Sequence, residues 1–117
     1  MRILLLLTLL LASAPALSAE CPLQGPPARF ESEFVDWRIT IGSGQRCLRG
    51  LRWGAMTVDE VKIVEPAKSG EATAQGYGFA YQSRPDFKGD DAFAVKLSGV
   101  NRGVSGSTTI RVHVTVR

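Results

Sequence analysis

Between Ile110 and Arg117 apolar and polar side chains alternate without a break. Ile110, Val112, Val114 and Val116 fall on one side, Arg111, His113, Thr115 and Arg117 on the other. A period of two excludes a helix, where residues on one face recur every three or four positions, and sets one face against a core with the other in water. The segment therefore predicts a half-buried strand of an antiparallel sheet. A second layer must cover its apolar face.

The same period recurs upstream. Val35, Trp37, Ile39 and Ile41 share a face, and Gly42-Ser43-Gly44 ends that run. Phe93 to Leu97 alternates again, and Tyr77-Gly78-Phe79-Ala80-Tyr81 predicts three aromatics on one side. Val61 to Val64 reads as strand, although Val58 and Val61 also suit one helical turn, and Cys47 to Trp53 has no clear period. Pro66–Gly70 and Pro85–Gly89 read as turns and Asn101–Gly106 as a loop. Short alternating strands separated by turn signals, with almost no helical period, mean an all-β sandwich or barrel.

The N-terminus carries an address. Arg2 precedes the apolar run Ile3–Leu11, and the small residues Ala12, Ser13, Ala14, Ala16, Ser18 and Ala19 follow, with Pro15 among them. Charge, apolar core and small-residue tail in that order form a secretory signal peptide. The run is too short to cross a bilayer. Cleavage after Ala19 is the first choice and after Ala16 the alternative. Glu20 separates Ala19 from Cys21, an offset that argues against lipidation of that cysteine. The expected organisation is signal peptide 1–19, extended arm 20–34 with Pro22, Gly25, Pro26 and Pro27, and sandwich domain 35–117, with no membrane span in the mature chain.

Export makes Cys21 and Cys47, the only two cysteines, a predicted disulfide, since oxidising compartments favour pairing. Closing a loop of about 25 residues stabilises by about 3 kcal/mol on the chain-entropy model. The alternative, a metal site of Cys21, Cys47 and His113, matches no tight zinc spacing. The net charge of +3 is too mild to point to nucleic acid. Arg46, Arg49 and Arg52 cluster around Cys47 and define a candidate anion or partner loop.

Pro66-Ala67-Lys68-Ser69-Gly70, the aromatic strand ending at Tyr81, the corner Phe87-Lys88-Gly89-Asp90-Asp91-Ala92-Phe93 and the closing strand Thr109–Val116 together resemble the bacterial Ig-like or cadherin-like repeats of secreted and surface proteins. The resemblance covers Ile63 to Val116 and rests on the Phe-x-Gly-x-Asp-x-Phe corner. It implies an Ig-like antiparallel β-sandwich. The first half, with both cysteines and Trp37, does not match the repeat, and such repeats usually stand in tandem arrays, so a free-standing secreted or periplasmic relative is the implication.

The corner has its own physical logic. Phe87 and Phe93 anchor either side of a bend, Gly89 can take a positive φ, and Asp91 can accept hydrogen bonds from turn amides. A calcium site from Asp86, Asp90 and Asp91 is the rival reading, without an EF-hand spacing behind it. Catalysis has little to build on. The single histidine, His113, sits on a polar strand face, no nucleophile-elbow motif is present, and Glu31/Glu33 and Asp59/Glu60 are ordinary carboxylate pairs. Gly42-x-Gly44 and Gly76-x-Gly78 are too short for a phosphate loop. Trp37, Trp53, Tyr77 and Tyr81 suit a core better than a sugar-stacking platform. The expectation is a non-enzymatic exported protein without cofactor or metal, binding a protein or glycan partner at the cell envelope or outside the cell. A small secreted inhibitor or carbohydrate-binding module is the alternative.

Overall fold

The computed structural model describes residues 21–30, 33–51 and 56–117. The predicted signal peptide, Glu20, Glu31, Arg52 and Trp53 lie outside these residues. Every element among them is a strand: β1 (Leu23–Gln24), β2 (Phe34–Ile41), β3 (Arg46–Gly50), β4 (Thr57–Glu65), β5 (Gly70–Gln75), β6 (Gly78–Ser83), β7 (Gly89–Asn101) and β8 (Val104–Val116). They form a five-stranded sheet in the order β1-β2-β8-β7-β4 and a three-stranded sheet in the order β3-β6-β5. The chain is thus an all-β, two-sheet sandwich, and no described helix is long and apolar enough to cross a membrane.

The pairings are antiparallel except that of β2 with β8, which is parallel with Val35 opposite Ile110 and Ile41 opposite Val116. This register unites the two cleanest alternating runs of the sequence. Their apolar sets, Val35, Trp37, Ile39 and Ile41 with Ile110, Val112, Val114 and Val116, are all buried and face Cys47, Phe79 and Tyr81 of the second sheet. β7 adds Phe93, Val95 and Leu97. The Phe93 ring stacks on Tyr81 at 5.5 Å and meets Phe79 edge-on at 5.2 Å, offset and T-shaped arrangements that aromatic quadrupoles favour.

Several expectations are corrected. Val58 and Val61 belong to strand β4, not to a helical turn. Tyr77 does not share the face of Phe79 and Tyr81; it occupies the β5–β6 turn and is 61% exposed. Asn101–Gly106 is not a loop. A two-residue turn at Arg102 and Gly103, both with positive φ (52° and 77°), joins β7 to β8 directly, and Gly106 lies mid-strand opposite Gly99 with Phe30 packed over both. The arm is partly strand, because Leu23 and Gln24 pair with Ile39 and Arg38. Pro26 holds it down by accepting a hydrogen bond from the indole N–H of Trp37 at 2.6 Å.

Candidate functional site

The Phe87–Phe93 corner builds the tightest polar cluster among the described residues. Gly89 opens β7 with φ of 140°, a conformation that side chains rarely adopt. The half-buried Phe87 lies beside it, and its carbonyl accepts a hydrogen bond from Ser43 Oγ at 2.8 Å. Two residues on, Asp91 points inward. Its Oδ1 accepts from the amides of Lys68 and Ala92, both at 2.9 Å, and its Oδ2 from the Ser69 amide at 3.0 Å and the Tyr81 hydroxyl at 2.8 Å. Burial works against the charged carboxylate. The donors from Lys68, Tyr81, Ala92 and Ser69 outweigh it and hold the Asp91 pKa below its ordinary value. Burial, then the hydrogen bond to Asp91 and its negative charge, pushes the Tyr81 phenol well above its usual range, with Arg84 opposing in part.

This arrangement joins elements. Lys68 and Ser69 lie in the crossing from β4 to β5, so one carboxylate on β7 ties the connection between the two sheets to itself and to β6. Both carboxylate oxygens already face N–H and O–H donors, and a cation would have to displace them. Asp86 and Asp90 are exposed, and among the described residues no three His, Cys, Asp or Glu side chains converge to hold a metal ion. Sequence reasoning found the acceptor but not its partners: the amides lie 22 and 23 residues away.

The predicted cysteine pair is a disulfide, with Cα atoms 5.4 Å apart, within the usual bridging range. It fastens the start of the arm to β3. The arginine loop is not a loop. Arg46 and Arg49 lie within β3, three residues apart and hence on opposite faces, while Arg52 falls outside the described residues. His113 is on the outward face of β8, with Nε2 3.3 Å from Oδ1 of Asp36 on β2, and the two side chains are 46% and 68% exposed. The acid beside the histidine is therefore open to water. Glu33, Asp59 and Glu60 are exposed as well.

Sequence reasoning missed a recessed surface. On the solvent side of the three-stranded sheet, Arg46 of β3, Gln82 of β6 and Glu71 of β5 stand in one register row, and Leu48, Ala80 and Thr73 form the next. Alanine in the central strand leaves a trough of about 250 Å³ lined by Arg46, Glu71, Thr73, Gln75, Ala80 and Gln82. A second recess of about 340 Å³ shares Glu71 and Gln82 with it and continues to Arg84 and Pro85. Within the trough Gln75 Nε2 donates to Thr73 Oγ1 at 3.2 Å. The Arg46, Gln82 and Glu71 side chains make no hydrogen bond or ion pair with a described residue. The signal for this surface was the small residue at Ala80 between two polar strands, but only the register reveals it.

The four aromatics read as core rather than as a platform separate, and for Tyr77 that reading is corrected. Trp37 and Tyr81 are fully buried, Tyr77 is exposed in its turn, and Trp53 lies outside the described residues. Phe34 is half exposed with the Arg111 guanidinium 4.5 Å above its ring, a cation–π contact. Comparison with protein-family models, with curated proteins and with solved structures returned no match.

Proposed function

We propose that this chain is an exported, non-enzymatic Ig-like domain that binds a protein partner at the cell envelope or outside the cell through the trough on its three-stranded sheet. The row Arg46–Gln82–Glu71 carries this reading. It presents a cation, an amide and a carboxylate side by side, facing solvent and without partners among the described residues. Such a row matches the alternating donors and acceptors of a polypeptide and not a single small anion. Export is supported by the Cys21–Cys47 bond, which persists in oxidising compartments. A glycan reading would need stacking aromatics, and Trp37 and Tyr81 are spent in the core. Catalysis is disfavoured because the strongly perturbed pair, Asp91 and Tyr81, is committed to backbone amides and to each other, and because His113 and Asp36 are both open to water.

The experiment is site-specific photocrosslinking in the envelope fraction. A crosslinker at Gln82 should capture a defined protein, and the capture should be lost in Arg46→Glu. The same probe at Lys96, on the outer face of the other sheet, should capture nothing. Equal labelling from both positions, or none from Gln82, would refute the site. The mass of the exported protein should begin at Glu20; recovery of the uncleaved chain would refute export.

A further inference from the structure

Among the described residues the sandwich has four sheet edges, and three are guarded. β1 is only two residues long. β3 carries Arg46 and Arg49, and the arm is bonded to it at Cys47. β4 is broken by irregularities between Val58 and Glu60 and between Ile63 and Glu65, and it bears Asp59, Glu60, Lys62 and Glu65. Short strands, charge and bulges are the usual means of keeping an edge from pairing. β5, Gly-Glu-Ala-Thr-Ala-Gln, has no proline, no lysine, no bulge and one charge.

The groups it leaves unpaired among the described residues can be located. The Arg84 amide donates to the Ser69 carbonyl, which continues the β5–β6 register by one step. Hydrogen-bonded pairs alternate along an antiparallel ladder, so Glu71, Thr73 and Gln75 bond to β6, whereas the N–H and C=O groups of Gly70, Ala72 and Ala74 point away from the sheet. We propose that β5 pairs in antiparallel fashion with β5 of a second copy of this chain, about a two-fold axis at Thr73, to form one continuous sheet through both molecules. Ala72 then faces Ala74 of the other copy in hydrogen-bonded pairs, and Thr73 faces Thr73 in a close non-hydrogen-bonded pair, a favourable cross-strand match. Glu71 faces Gln75, whose amide can donate to the carboxylate. Shifting the strands by two residues toward the N-terminus brings the two Glu71 carboxylates to diagonal positions, and a further such shift sets them directly opposite, where like charges repel. The charge pattern thus disfavours registers shifted toward the N-terminus, and a shift the other way gives up the Glu71–Gln75 pair. Such an interface is isologous and closes at two copies. So short an edge gives a reversible dimer. The dimer stands or falls separately from the trough, because its test reads mass and uses no ligand.

Sedimentation over a concentration series up to millimolar tests it. The full mature chain should shift from monomer to dimer. Thr73→Lys and Thr73→Glu should each remain monomeric with melting temperatures near that of the wild type, and an equal mixture of the two should dimerise again, because only that mixture sets opposite charges face to face on the axis. A wild-type chain that stays monomeric throughout would overturn the proposal. So would a Thr73→Lys chain that dimerises as well as wild type, or a folded mixture that does not dimerise.

Discussion

The two long sides of the sandwich are closed by different chemistry. On the side of β1 and β3 the sheets are joined by the Cys21–Cys47 bond, and on the side of β4 and β5 by the Asp91 carboxylate gripping the crossing turn and Tyr81. A disulfide acts largely by restricting the unfolded chain, and on that model its contribution depends on loop length and on redox conditions. The carboxylate acts in the native state alone, and its contribution depends on its charge. One side therefore reports the compartment and the other the pH. The difference also follows the chain, since the residues of the clamp lie between Lys68 and Ala92 and both cysteines precede them.

The largest expected effect breaks the first side. Cys47→Ser, or reduction of the wild type, should cost about 3 kcal/mol, a large part of what holds so small a domain together. Denaturant melts with and without reductant measure it. Intact mass after alkylation checks the bond itself, since protein isolated under oxidising conditions should show no free thiol. If Cys47→Ser and wild type melt alike, the two sides are not equivalent and the clamp carries the sandwich alone.

Breaking the second side should cost somewhat less. Asp91→Ala leaves buried amides and the Tyr81 hydroxyl without their acceptor, a loss of about 1–3 kcal/mol. Asp91→Asn should fall between Ala and wild type, because one amide oxygen still accepts. The sign of the pH dependence follows from the depressed Asp91 pKa. The stabilisation is fully present above the unfolded-state value of about 3.9 and is lost as the pH falls through the lower folded value. The gap between wild type and Asp91→Asn should therefore narrow in acid. Tyr81 gives the opposite limb. Its phenol is raised in the folded state, so stability should decline as the pH climbs above about 10. Chelator should leave the wild-type melt unchanged; a chelator-induced drop would mean that a cation, not the turn amides, holds Asp91.

A smaller effect sharpens the clamp. Gly89→Val should cost a little over ~1 kcal/mol, because a β-branched residue is disfavoured at φ of 140°. The space itself is open, since a Cβ at this position would meet only the Phe87 ring, at 3.5 Å. A Gly89→Ala variant should therefore suffer strain of the same origin and of lesser size, and thermal melts of the pair separate backbone strain from steric crowding.

What the sequence made legible was whatever is local. Alternation placed Val35–Ile41 and Ile110–Val116 correctly, because each strand buries one face regardless of its neighbours. The corner was legible because Phe87, Gly89, Asp91 and Phe93 lie within one short stretch. The parallel register of β2 on β8, the amides that meet Asp91, and the row Arg46–Gln82–Glu71 are set by long-range pairing, which no local pattern encodes. The errors have the same origin. Gly103 and Gly106 read together as a loop, but only Gly103 has positive φ, and Gly106 is flat strand under Phe30. Tyr77 continued an alternation that the Gly76 turn interrupts. The arginines near Cys47 suggested a loop because charge is commoner there, whereas the outer face of a strand is equally wet.

The smallest expected effect lies on neither side but on the open face between them. His113 and Asp36 approach at 3.3 Å from adjacent parallel strands, and both are largely solvated. Exposed ion pairs contribute little, because water screens the attraction and holding both side chains in one geometry costs entropy. His113→Ala should change stability by less than about 0.5 kcal/mol, and Asp36→Ala by a similar amount. The double variant should equal the sum of the two, since a pair without coupling leaves nothing for a mutant cycle to detect. Partner capture at Gln82 should be the same in all three, because the trough belongs to the other sheet. A His113→Ala chain that melts normally but loses capture would move the functional surface from the three-stranded sheet to the five-stranded one.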